Sequence, residues 1–223
     1  MTIVLSCVIF LVFLFMAYFW MGRNWLQRSG NDFRKQPPAE FGCEARTPDG
    51  YSFHLGHTWI HSQDGEHARI GIDDFAAQIL GEITHIDVIG TNRWVRQGQR
   101  IMTIQSAGIS VDFLSPAEGV IIEVNEQARR EPSLASRSPL GVGWVALIKV
   151  ADLKTQQQNL LCGAVADQWM RNCAERVQEM LAESGEVLEN KGRSSGMLAR
   201  VSPELRQKLL REFFHSESNR ASA

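Results

Sequence analysis

Three histidines, His54, His57 and His61, fall within eight residues of this 223-residue chain. On a strand, His57 and His61 would share one face with Trp59 between them. A metal site there needs a third ligand, such as His67, His85 or Asp64, from another part of the chain. Asp73 and Asp74 are adjacent carboxylates, the residue type of general acid–base chemistry. They also stand just before an apolar run, where aspartate caps a helix, and capping accounts for them more simply. Cys7, Cys43, Cys162 and Cys173 form no C-x-x-C pair and read as free thiols in a reducing compartment. No G-x-S-x-G, P-loop or Rossmann glycine pattern is present. These residues assemble no catalytic constellation, and neither enzymatic activity nor a metal site is expected.

The stretch from Gly98 to Gly119, GQRIMTIQSAGISVDFLSPAEG, organises the elements around it. Ile101, Met102 and Ile104 lead into a tight turn at Ala107-Gly108, and Val111, Phe113 and Leu114 lead out. Glycine takes positive φ without a Cβ penalty, which suits a two-residue hairpin turn. Ser115-Pro116 closes the second strand, because proline cannot donate to a ladder.

Short β segments surround this hairpin. Tyr51 to Leu55, His57 to His61, Ala68 to Ile72, Ile83 to Val88, Val120 to Val124 and Trp144 to Val150 read as strands. Asp73-Asp74 can cap a helix from Phe75 to Leu80 that Gly81 ends. Thr91 to Gly98 reads as a polar loop holding Trp94 and Val95, Asn125 to Ala128 as a turn, and Pro132 to Gly143 as a Ser/Pro/Gly loop. Many short strands at close spacing predict a mainly β fold, a flattened β-barrel or sandwich with small helices.

In this setting residues 51–170 resemble the glycine cleavage H-protein family, of the lipoyl/biotinyl-domain fold. His57-Thr58-Trp59 is similar to the family's H-x-W. Gly71-Ile72-Asp73-Asp74-Phe75-Ala76 followed by Leu80-Gly81-Glu82-Ile83 is similar to its G-I-T-x-[FY]-A…L-G-[DE]. Gly98 stands where the family has a glycine before its carrier hairpin. Pro116, Gly119 and Val124-Asn125-Glu126 match P-x-x-G…V-N-E. Pro132-Ser133-Leu134 and Pro139 to Trp144 resemble P-x-L…P-Y-G-x-G-W, and LLCGAVADQWM resembles the family's closing helix.

The resemblance implies a hairpin reading E-S-x-K-x-x-S-D-x-x-x-P. Its lysine is acylated by lipoate, and the arm shuttles an aminomethyl group between partner enzymes. Counted without gaps, Gln105 replaces the glutamate, Ser106 matches, Gly108 occupies the lysine position, and Asp112 and Pro116 match. An amide-linked arm requires a primary amine. The chain's lysines are Lys35, Lys149, Lys154, Lys191 and Lys208, none of them in the hairpin. No bound cofactor is therefore expected, although lipoate is what the family would carry.

Ile3 to Met21 is 19 residues without a charge. A helix of that length spans about 28 Å, close to a bilayer's hydrocarbon thickness. Tyr18, Trp20 and Trp25 suit a headgroup layer. No basic residue precedes the run and no small-residue cleavage site follows it, so an uncleaved anchor at 1–22 is expected rather than a signal peptide. Arg23, Arg28, Arg34 and Lys35 follow it, which predicts a single-pass protein with its soluble part in the cytoplasm. Residues 23–50, rich in glycine and proline, read as a linker. A formal charge of −2 gives no reason to expect nucleic acid as a partner.

Residues 171–215 read as a helical extension. Val165, Trp169, Cys173, Val177, Met180, Leu181 and Leu188 recur at helical spacing. Asn190 to Gly196 is a break. Ser202-Pro203-Glu204 is a helix start, and Leu205, Leu209, Leu210, Phe213 and Phe214 make an apolar stripe through His215. Its polar face mixes acids with bases, which favours fold-back or partner docking over membrane contact. Residues 216–223 read as a disordered tail. Together these features predict a membrane-anchored, non-lipoylated docking or scaffold module with an unidentified protein partner. A working lipoyl carrier is the alternative, and an exporter membrane-fusion or adaptor subunit is a weaker one.

Overall fold

The computed structural model describes residues 47–186 and 196–214. The expected anchor, most of the linker, Leu188, the 190–195 break, His215 and the tail lie outside the described residues. Among those described, no helix is long and apolar enough to cross a membrane.

Among the described residues nine strands make two antiparallel sheets. The larger sheet has the order β1 (Tyr51–His54), β2 (Thr58–Ser62), β3 (His67–Ile72), β9 (Ala146–Lys149), β8 (Gly119–Val124), β5 (Trp94–Val95). The smaller sheet has the order β4 (Ile83–Val88), β6 (Arg100–Ser106), β7 (Ile109–Leu114). Along β6, Met102, Ile104 and Ser106 are buried while Gln105 is exposed, the period-two pattern of a one-sided strand. Ile60, Ile70, Ile121 and Ile148 of the larger sheet share one buried cluster with Ile86, Ile104, Val111 and Phe113 of the smaller. The expectation of a mainly β fold with small helices holds.

Helix α1 (Asp74–Leu80) starts where expected, with the Asp73 side chain accepting from Ala76 N, and ends at Gly81 with φ 70°. Three expected loops are ordered further. Trp94 and Val95 form β5 against Val120 and Gly119, a strand too short to show alternation. Asn125 does not merely turn the chain. Its side chain accepts from Gln127 N and Ala128 N and starts α2 (Glu126–Arg130). The same side chain donates to Val142 O and Trp144 O, fixing the neighbouring loop. Within the expected 132–143 loop lies α3 (Ser133–Arg137), and beyond β9 lies α4 (Leu153–Gln157). Helices of five residues carry too little periodicity to be read from sequence.

Helix α5 (Gly163–Ser184) is one continuous element and crosses residue 170, the expected domain boundary, without a break. It buries Ala166, Met170, Cys173, Val177 and Met180, and ends at Gly185, φ 66°. After a 3₁₀ turn (Met197–Ala199) comes α6 (Pro203–Phe213), with the Ser202 side chain capping Leu205 N and Pro203 in the first turn. The start of this helix is also held by Glu186, whose carboxylate accepts from both Ser202 N and Ser202 Oγ. Those two hydrogen bonds keep the Glu186 carboxyl below its ordinary value. Leu205, Leu209, Phe213 and Phe214 are buried, so the stripe folds back on the domain.

Candidate functional site

The β6–β7 hairpin is built as the turn chemistry dictates. Ser106 pairs with Ile109, and the two residues between them both have positive φ, 50° at Ala107 and 75° at Gly108. Two consecutive positive φ values define the type I′ turn that matches strand twist. Both residues are exposed, and a Cβ placed on Gly108 would meet nothing within 4 Å. The tip therefore stands free, without an amine.

The flanking residues divide into anchors and exposed groups. Ser106 is buried and its hydroxyl donates to Leu80 O at 2.5 Å, tying the hairpin to the end of α1. Asp112 sits opposite Thr103, whose hydroxyl donates to Asp112 Oδ1 and accepts from Arg100. Gln105 is exposed opposite Ser110. Gln105, Gly108 and Asp112 are thus brought together on one hairpin, with Ser106 turned into the core beneath them.

The histidines do not assemble. His57 lies before β2 rather than on it, with φ 59°, and is buried. Its Nδ1 is 2.8 Å from Asp73 Oδ2, while Asp73 Oδ1 accepts from Ala76 N at 2.8 Å. One aspartate thus caps α1 and holds the histidine. The His57 ring stacks on Phe75 at 4.3 Å and on Trp169 at 4.7 Å. His61 points elsewhere, stacked on Tyr51 at 4.4 Å. Among the described residues no three His, Cys, Asp or Glu side chains converge on a possible metal position. Asp74 is half-buried, and burial raises its carboxyl above the ordinary value, with the neighbouring Asp73 adding to the effect.

The extension closes over this region. Phe214 packs edge-on against Phe113 of β7 at 5.3 Å, and Phe213 against Phe75 at 4.9 Å. Both phenylalanines also reach the His57 ring, at 6.1 Å for Phe213 and 5.8 Å for Phe214. Gly196 sits so close to Leu80 O that a Cβ there would lie 2.1 Å away. The foot of the hairpin, α1 and His57 therefore share one apolar cover supplied by residues 196–214.

A family model described as Glycine cleavage H-protein matches residues 51–173, more than half of the chain. The chain belongs to the glycine cleavage H-protein family. A glycine cleavage system H protein of Coprothermobacter proteolyticus is 28% identical over 105 residues, covering 47% of this chain and 83% of that one. A probable mitochondrial glycine cleavage system H protein of Dictyostelium discoideum is 32% identical over 116 residues, covering 52% of this chain and 78% of that one. A crystal structure of the H protein from Mycobacterium marinum covers 63% of this chain and 100% of its own, with a TM-score of 0.47 and 21% identity. The matched H-protein region stops inside α5, so the apolar cover at 196–214 lies beyond it.

Two features of this H-protein domain were not foreseen from sequence. The His57–Asp73 pair joins residues 16 positions apart, and its only signal is a histidine followed later by a capping aspartate. The second feature is Trp59 lying across Gly71, where a Cβ would fall 2.6 Å from the indole. A glycine in the middle of a strand is the cue for such a close approach.

Proposed function

We propose that this chain is a non-lipoylated, non-catalytic H-protein-family module that docks a protein partner while held at the cytoplasmic face of a membrane. The observation that carries the reading is the hairpin tip, Ala107-Gly108, which offers no amine where the family resemblance implies a lipoylated lysine. Lipoate supplies a reactive arm only through an amide bond, and the tip residues do not fit that attachment. The lysines among the described residues lie on other elements: Lys149 on β9 beside Glu66 at 3.5 Å, Lys154 on α4 and Lys208 on α6. The apolar cover of residues 196–214 supports the same reading, since it occupies the surface at the hairpin's foot. Membrane attachment rests on the uncharged run from Ile3 to Met21.

A working lipoyl carrier modified at another lysine is the second reading, favoured by the retained Ser106, Asp112 and Pro116. Intact-mass measurement of the full chain from its own cells separates the two. An unmodified mass is expected, and a lipoyl-sized increment overturns the proposal. Topology is tested on Cys162, which is exposed. An impermeant thiol reagent is expected to leave it unlabelled in intact cells, and labelling would place the domain on the other side.

A further inference from the structure

The outer face of the larger sheet carries a groove that no part of the carrier chemistry uses. Tyr51, His61 and Arg69 lie in one cross-strand row on β1, β2 and β3. The 138–144 loop forms the facing wall and is held there by two hydrogen bonds. Tyr51 Oη donates to Leu140 O, and Trp59 Nε1 donates to Pro139 O. The groove is half open to solvent and holds about 410 Å³, within the range of roughly 300–1,000 Å³ typical of small-molecule sites.

The lining has a definite chemistry. Arg69 is its only charged side chain, and among the described residues no carboxylate lines the groove or forms an ion pair with Arg69. Its guanidinium stands 5.0 Å from the centre of the Trp144 ring, which orients the fork without neutralising it. The Tyr51–His61 stack and Trp144 present flat apolar surface, and Val142, 53% exposed, adds an apolar rim. A planar cation with five donors matches a carboxylate, and aromatic walls match a flat body. We infer that this groove binds a small flat organic carboxylate, its acid group on Arg69 and its body against Trp144. The inference is independent of whether the chain is lipoylated, because none of these residues belongs to the hairpin.

The test uses the full chain in nanodiscs with ¹⁵N-labelled tryptophan, and benzoate as the probe. The Trp144 indole resonance, identified with Trp144→Phe, is expected to shift saturably with benzoate. Half-saturation should come at about tenfold lower concentration than with benzamide, its neutral counterpart. In Arg69→Gln the benzoate preference should vanish, with the indole resonances of Trp20, Trp25, Trp94 and Trp169, which do not line the groove, unmoved as the control for folding. A shift that stays linear with benzoate, equal binding of benzamide, or wild-type affinity in Arg69→Gln would each overturn the inference.

Discussion

Phe214 tests whether the extension is part of the domain it covers. The side chain is 1% exposed, with its ring 5.3 Å from Phe113 and 5.8 Å from His57. Truncating a buried phenylalanine to alanine removes its transfer free energy and leaves a cavity, at a cost of about 3–5 kcal/mol. For a domain of this size each kcal/mol lowers Tm by about 2–4 °C, so Phe214→Ala should melt about 6–20 °C below the wild type. The measurement is thermal unfolding of the full chain by near-ultraviolet circular dichroism, followed by hydrogen exchange at the β6–β7 amides. Exchange should quicken there, because Phe113 loses its partner. Lys208→Ala, at an exposed position on α6, is the control and should stay within about 0.5 kcal/mol of wild type. A Phe214→Ala protein that melts with the wild type, or whose hairpin exchanges as slowly, would refute the packing of the extension on the hairpin.

Gly108→Lys should cost roughly 1–2 kcal/mol in urea unfolding, because φ 75° is left-handed, but the side chain has open space. Co-expressed with lipoate-attaching enzymes, this variant is expected to gain a lipoyl-sized mass. If the folded variant stays unmodified, Gln105→Glu added to it tests whether the neighbouring acid is the missing determinant. Asp74→Asn should raise Tm at neutral pH. Burial, with Asp73 beside it, holds the Asp74 carboxyl above its unfolded value, so ionising it costs stability above the folded pKa. That cost disappears below the unfolded value of about 3.9, so the gain should vanish in acid, and a gain independent of pH would sink the assignment. Gly71→Ala should destabilise by about 1–3 kcal/mol, because the new Cβ meets Trp59 at 2.6 Å and the indole is pinned by two carbonyls. An unaltered Trp59 environment in that variant would contradict the close approach.

What the sequence discloses follows from the reach of each interaction. The hairpin, α1 with its aspartate cap and glycine stop, and the Ser202-Pro203 start of α6 rest on contacts a few residues apart, and they appear where expected. From sequence Asn125 reads as a turn because its helix is only five residues long, and nothing local announces the two bonds it sends to the 142–144 loop. His57 and His61 looked like one face of a strand. A single positive φ at His57 breaks that periodicity and sends the two rings to different sides. At the candidate site the absence of an amine at residue 108 is plain from sequence. That Ser106 faces Leu80 and that Phe214 covers Phe113 are long-range facts, available only once the chain is folded.

The place where the chain enters the domain has a mechanical consequence. Thr47 N donates to Asp167 Oδ1 and Thr47 Oγ1 to Gly163 O, while Phe53 and Leu161 exchange two backbone hydrogen bonds. The chain's entry through β1 and the start of α5 are thus stitched to each other at the edge of the larger sheet. A pull on the preceding residues would load these bonds and the β1–β2 ladder together, as a seam stressed along its length. A seam of that kind yields at higher force than one opened bond by bond. Tension applied ahead of Thr47 would be resisted at residues 47–53 and 161–167, which places Tyr51 and its wall of the Arg69 groove in the loaded path and leaves the hairpin tip outside it.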